Sequence, residues 1–282
     1  MSELTLSKSV IYVTGLPRSG STLLCQLLGM HPEIDSSGHS SPLQGILQTL
    51  RHQLSDNEFL LSQMDVDFEQ GYQRLQNLNR GMINGWFADS DKDWVVDKNR
   101  GWLMNIDLVQ ALDPNFRMLV CVRDPAQIYG SIEAQHQKTL LLDFPDKLAS
   151  LSRHARADKL FGNEGVIGAP LKAIEALQDV PDTWQKRLFY VVFEQLMQEP
   201  EKVMCDLYEW LKLPVPAFNP NALPVKPHES DSYYRFKYPH QTRSQISPPS
   251  PHAIPSRIEA DIQKQFGDIY QLFYPGMKRK SS

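Results

Sequence analysis

The chain has 282 residues, 41% of them hydrophobic and 22% charged, with a net charge of −4 and an isoelectric point near 6.1. That length supports a full hydrophobic core without disulfide staples, and the composition excludes disordered and collagen-like chains. The mildly acidic balance argues against a nucleic-acid partner but allows a local cationic pocket for a small anion.

The first residues, M-S-E-L-T-L-S-K-S, contain no apolar signal segment, and no run reaches the roughly 18 apolar residues of a membrane span. Cys25, Cys121 and Cys205 are too few and too scattered for a disulfide framework or a zinc site, and each falls in an apolar pattern. Buried thiols and a cytoplasmic location are expected.

Residues 10 to 14 read as a short buried strand. Leu23, Leu24, Leu27 and Leu28 then recur at helical spacing over residues 20 to 30, and His31-Pro32 is expected to end that helix. Residues 32 to 42 form a Ser/Gly/Pro-rich loop, and residues 43 to 87 carry helical patterns. Short strands are predicted at 94 to 97, 117 to 122 and 187 to 193, with helices over 101 to 112, from Pro125 onward, twice within 145 to 180, and from Pro200 to just before Pro214. Residues 214 to 255, rich in Pro, His, Ser and Tyr, read as irregular. The last helix, 256 to 272, is predicted to start on a Ser256/Glu259 capping box and to dock through Ile258, Ile262, Phe266, Ile269 and Tyr270. No repeat and no linker interrupts the chain. Strands alternating with helices predict one α/β domain over 1–282, a parallel central sheet between two helical layers.

The stretch Y-V-T-G-L-P-R-S-G-S-T-L-L, residues 12 to 24, joins the first strand to the first helix. Gly15 and Gly20 allow a tight turn and close approach of the backbone to a ligand. Amides at a helix N-terminus have no partner within the helix and favour an anion. Arg18 adds a charged fork, and Ser19, Ser21 and Thr22 add hydroxyls. The loop therefore reads as a phosphate site, although a structural glycine turn beside a solvated arginine uses some of the same letters. Ser21 stands where nucleoside-triphosphate enzymes place the lysine that reaches the β and γ phosphates, so terminal phosphoryl transfer is poorly served.

P-R-S-G-S-T-L-L resembles the 5′-phosphosulfate loop of sulfotransferases that use 3′-phosphoadenosine-5′-phosphosulfate (PAPS), proteins of P-loop kinase-like architecture that need no metal. A second stretch, R-D-P-A-Q-I-Y-G-S, is similar to the family's 3′-phosphate element: an arginine at a strand end and a serine eight residues later, here Arg123 and Ser131. The resemblance runs from about residue 8 to 215 and is nearest to the tyrosylprotein-type and related bacterial enzymes. It implies binding of PAPS by Gly15, Pro17, Arg18, Ser19, Gly20, Ser21, Thr22, Arg123 and Ser131, and release of adenosine 3′,5′-bisphosphate.

Sulfuryl transfer needs a base for the acceptor hydroxyl and a cation for the leaving oxygen. The tyrosylprotein-type enzymes carry a Gly-Glu pair shortly after the His-Pro; His39 stands at the glutamate's place, and an imidazole titrates near neutrality. In D-K-N-R, residues 97 to 100, Lys98 matches the family's catalytic lysine, with Arg100 close by. Phe193 replaces a frequent tyrosine, and Glu194 beside it reads as a pairing residue. In Y-Y-R-F-K-Y-P-H-Q-T-R-S, residues 233 to 244, aromatics could flank adenine and Arg235 or Lys237 reach phosphate, or the stretch could be a solvated loop.

Residues 40 to 92 and 140 to 180 are expected to shape the acceptor side, with Tyr72, Trp86, Phe87 and Trp102 as candidate lining. The acceptor is read only as a small-molecule or carrier-bound hydroxyl. An atypical P-loop kinase and a non-catalytic nucleotide binder remain open at this point.

Overall fold

A computed structural model describes residues 3–138, 148, 150–217, 219–225, 229–230, 239–240 and 242–276. Its centre is a five-stranded, all-parallel sheet: β1 (Ser9–Gly15), β2 (Ile34–Asp35), β3 (Trp94–Lys98), β4 (Arg117–Val122) and β5 (Leu188–Val192), in the order β2-β3-β1-β4-β5. The predicted strands are present. The short edge strand β2 was not expected, because two residues carry no periodicity.

Alternation along the strands separates two cores. Val10 and Tyr12 of β1, with Met118, Val120 and Val122 of β4, face one; Ile11 and Val13, with Leu119 and Cys121, face the other. Each fully buried aliphatic side chain contributes about 1.5–3 kcal/mol, so strands buried on both faces favour this register strongly. The second core is covered by α1 (Ser21–Leu28) and α11 (Pro200–Leu211). The first lies under α4 (Phe68–Trp86), α5 (Ile106–Leu112), α6 (Pro125–Lys138), α7 (Arg153–Phe161), α8 (Gly168–Ala176), α12 (Ser256–Gln265) and α13 (Gly267–Phe273). Helices α2 (Leu43–Ser55), α3 (Glu58–Val66), α9 (Asp182–Gln185) and α10 (Phe193–Gln198) complete the α/β/α layers, and Glu229–Ser230 pairs antiparallel with Pro239–His240.

Several boundaries differ from the pattern reading. Helix α1 stops at Leu28, with Gly29 as its C-cap, before His31-Pro32 is reached. The fifth strand ends at Val192, and Phe193 opens α10. The Ser256/Glu259 capping box does not form: Pro255 occupies the extended N-cap position with ψ 129, so Ser256 is already helical. The final helical stretch breaks at Phe266, yet all five residues of its expected stripe are buried. Cys25 and Cys121 are buried, whereas Cys205 is partly exposed. Among the described residues no helix is long and apolar enough to cross a membrane.

This topology positions a site. β1 lies between β3 and β4, with Val13 paired to Lys98 and Gly15 to Cys121. The carboxyl ends of these neighbouring strands open together, which is where parallel α/β sheets hold ligands.

Candidate active site

The loop after β1 is built by backbone conformations that few side chains tolerate. Gly15 has φ 122 and lies so close to β4 that a Cβ would meet the Cys121 carbonyl. Leu16 N–H donates to that carbonyl at 2.9 Å. Arg18 itself is left-handed, with φ 58, and Gly20 has φ 86 at the N-cap of α1. No side chain caps α1. Its first turn, with Gly20, Ser21, Thr22 and Leu23, instead faces a cavity of about 830 Å³.

Beside the loop, residues 97 to 100 are fastened at several points. Asn99 N–H donates to Val13 O at 3.0 Å, and Thr14 Oγ1 donates to Arg100 O at 3.1 Å. Asp97 is fully buried and accepts from Trp102 Nε1 at 2.6 Å; burial raises its carboxyl above the ordinary range. Lys98, next along the strand, is also buried, and its Nζ donates to Gly38 O at 2.7 Å and to Thr22 Oγ1 at 3.3 Å. The ammonium thus stands between the start of α1 and the loop that follows β2, and it lines the cavity.

Arg123 ends the strand on the other side. It is only 6% exposed, its guanidinium carbon lies 4.5 Å from the centre of the Phe193 ring, and one η-nitrogen donates to Arg18 O at 2.9 Å. Its Nε is buried and has no partner among the described residues, a donor left for something else. Burial lowers the guanidinium from its ordinary value; Glu194 opposes the fall and Arg18 adds to it. Ser131, two turns along α6, accepts from Arg18 Nε at 3.3 Å. The two phosphate elements foreseen in the sequence therefore touch, and both line the same cavity.

Five basic side chains, Arg18, Lys98, Arg100, Arg123 and Arg243, line that cavity together with His252; among the described residues no carboxylate does. In a chain of net charge −4 this is a concentration of basic groups in one place.

The model of the sulfotransferase family matches residues 10–217. The chain belongs to the sulfotransferase family. Solved structures agree on the fold. A sulfotransferase from Alicyclobacillus acidocaldarius aligns at TM-score 0.54 and 12% identity, covering 95% of this chain and 97% of that one. The sulfotransferase domain of the Synechococcus PCC 7002 olefin synthase aligns at 0.52 and 18%, covering 94% and 97%. A sulfotransferase from Mycobacterium avium aligns at 0.52 and 14%, covering 95% of this chain and 77% of that one. No curated protein matches the chain in sequence.

In this sulfotransferase the singled-out residues do not all reach the cavity. Pro17, Arg18, Gly20, Ser21, Thr22, Lys98, Arg123 and Ser131 line it. Gly15 acts behind the loop, through its turn. Ser19 faces inward, buried, and its hydroxyl donates to Leu16 O at 2.5 Å, so it shapes the loop instead of offering a free donor. His39 is exposed and does not line the cavity, although its neighbour Ser40 does. Of the four aromatic candidates for the acceptor side, Trp102 is core, packed edge-on against Tyr12 at 5.1 Å; Tyr72, Trp86 and Phe87 lie outside the cavity lining. Arg235 and Lys237 fall outside the described residues.

A strap over residues 242 to 252 extends past the stretch 233 to 244 that the sequence singles out. Gln26 Nε2 on α1 donates to Pro224 O at 2.6 Å and Arg243 O at 3.0 Å. At the other end, His252 N–H donates to Gln127 Oε1 on α6 at 2.8 Å, and His252 packs where a Cβ on Gly130 would collide. Thr242, Arg243, Gln245, Ile246, Ser247, Pro249 and His252 consequently line the cavity. Gly130, a glycine inside a helix, is the sequence signal for the far end of the strap.

Proposed function

We propose that this sulfotransferase moves a sulfuryl group from PAPS to an acceptor hydroxyl, working as one domain and without a metal ion. The observation that carries the reading is the placement of Arg18 and Arg123, from two strand ends, on one cation-lined cavity. A 3′-phosphate at one end of a nucleotide and a phosphosulfate at the other are anions of the kind that two such grips would hold. The α1 amides, Ser21 and Thr22 suit the 5′ end; Arg123 with its unpartnered Nε, and Ser131, suit the 3′ end. Among the described residues the lining offers no carboxylate to hold a divalent cation, and Ser21 replaces the lysine of triphosphate enzymes, which disfavours a kinase.

In this reading the acceptor comes from the side of residues 38 to 41. His39 takes the hydroxyl proton as the new S–O bond forms, and Lys98 neutralises charge on the phosphate oxygen as the old S–O bond breaks. Support for His39 is positional: Gly38 O accepts from Lys98 Nζ, and Ser40 pairs with the backbone of Lys98. The acceptor is a small-molecule or carrier-bound alcohol or phenol.

Calorimetry of the purified protein with adenosine 3′,5′-bisphosphate tests the donor site; tight binding that persists in EDTA is expected, and no heat at millimolar ligand would end the proposal. Lys98→Ala should lower kcat by about 10²–10³. His39→Ala should lower it by about 10² with the nucleotide Kd unchanged. Undiminished turnover would remove His39 from the chemistry.

A further inference from the structure

Two carboxylates flank Arg123, and neither closes an ion pair with it. Asp124 follows it in the chain; Glu194 follows Phe193, on whose ring the guanidinium rests. Both interact with Arg123 electrostatically, yet its Nε has no partner among the described residues. A carboxylate that swung onto the guanidinium would form a bidentate pair and compete with a phosphate for the same fork.

Each carboxylate is held by a phenol from the last helix instead. Tyr270 Oη donates to Asp124 Oδ1 at 2.6 Å, and that oxygen also accepts from Ala126 N–H at 2.9 Å. Tyr274 Oη donates to Glu194 Oε2 at 2.8 Å, while Glu194 Oε1 accepts from Asp124 N–H at 3.3 Å. The two tyrosines are four residues apart, so one turn of α13 and its C-cap presents both hydroxyls together. Burial, reinforced by the carboxylates, drives both phenols far above their ordinary range, so they remain donors at any working pH.

We propose that Tyr270 and Tyr274 are positioning residues that tether Asp124 and Glu194 away from the Arg123 guanidinium and so keep it available to the 3′-phosphate. The inference rests on the donor site proposed above. It places the control of 3′-phosphate recognition in the chain's last helix, beyond the residues of the family match.

The test compares two ligands that differ only by the 3′-phosphate: adenosine 3′,5′-bisphosphate and adenosine 5′-monophosphate, titrated calorimetrically. Tyr274→Phe should weaken the bisphosphate about tenfold and leave the monophosphate within about twofold, the loss of one charge-assisted hydrogen bond being read through the guanidinium. Tyr270→Phe should act in the same direction through Asp124. Adding Glu194→Gln to Tyr274→Phe removes the competing charge and should restore most of the bisphosphate affinity, a rescue that a merely structural tyrosine would not show. Equal weakening of both nucleotides, no change in either, or failure of the rescue would overturn the inference while the donor site stands. A wild-type protein with no preference for the bisphosphate would overturn both.

Discussion

The two strand-to-helix junctions that line the cavity are built by opposite means. At residues 15 to 22 the junction is shaped by its backbone: three residues at positive φ and a helix N-terminus with no side-chain cap, facing the cavity. At residues 123 to 131 it is shaped by side chains: a guanidinium on an aromatic ring, with the neighbouring carboxylates Asp124 and Glu194 bonded to Tyr270 and Tyr274, 146 and 80 positions away in sequence. A junction shaped by backbone is specified locally and tolerates no Cβ at Gly15. A side-chain site is specified by the whole fold and fails gradually.

That contrast predicts unequal damage. Gly15→Ala should be the most severe change: its Cβ would sit 2.2 Å from the Cys121 carbonyl oxygen, at a φ of 122 that alanine avoids. Strain and overpacking together should cost about 3 kcal/mol or more, seen as a large fall in Tm or loss of folded protein. A Gly15→Ala protein with wild-type Tm would show that the loop is not held against β4 as described.

The same contrast explains what could be read in advance. The phosphate loop announced itself because glycine spacing and a strand-to-helix switch are local signals, and the four longer strands were apolar runs of the right length. Arg123 was visible only by resemblance, and its supports were not visible at all: nothing near Tyr270 or Tyr274 indicates a partner at Asp124 or Glu194. The anchoring of the strap over residues 242 to 252 was hidden for a similar reason, since Gln26 holds backbone carbonyls and any residue could supply those. His39 shows the reverse case, a motif position whose surroundings the sequence did not give. Position in a motif made it the candidate base, and the chain after Gly38 leaves it exposed beside the cavity-lining Ser40.

Next in size is Arg123→Ala, which removes the charged fork without straining the backbone. Affinity for adenosine 3′,5′-bisphosphate should fall about 100-fold, and that for adenosine 5′-monophosphate should change little. Arg123→Lys should recover only a small part, because an ammonium cannot reproduce the planar fork seated on Phe193. If both nucleotides weakened equally, the two junctions would not divide the ligand between them.

The smallest effect belongs to the residue where the junctions meet. Phe193 lies under the Arg123 guanidinium, and a Cβ on Gly20 would come within 2.7 Å of its ring. It touches the Arg123 guanidinium directly, whereas glycine at position 20 leaves only a close approach to the loop. Phe193→Leu keeps an apolar contact but discards the ring face, worth about 0.5–1 kcal/mol to a cation. Bisphosphate affinity should drop about two- to fivefold, through the Arg123 side alone, and Phe193→Leu combined with Arg123→Ala should be no worse than Arg123→Ala by itself. Additive losses would mean that Phe193 also supports the loop at Gly20, and the two junctions would then share one element in place of being built independently.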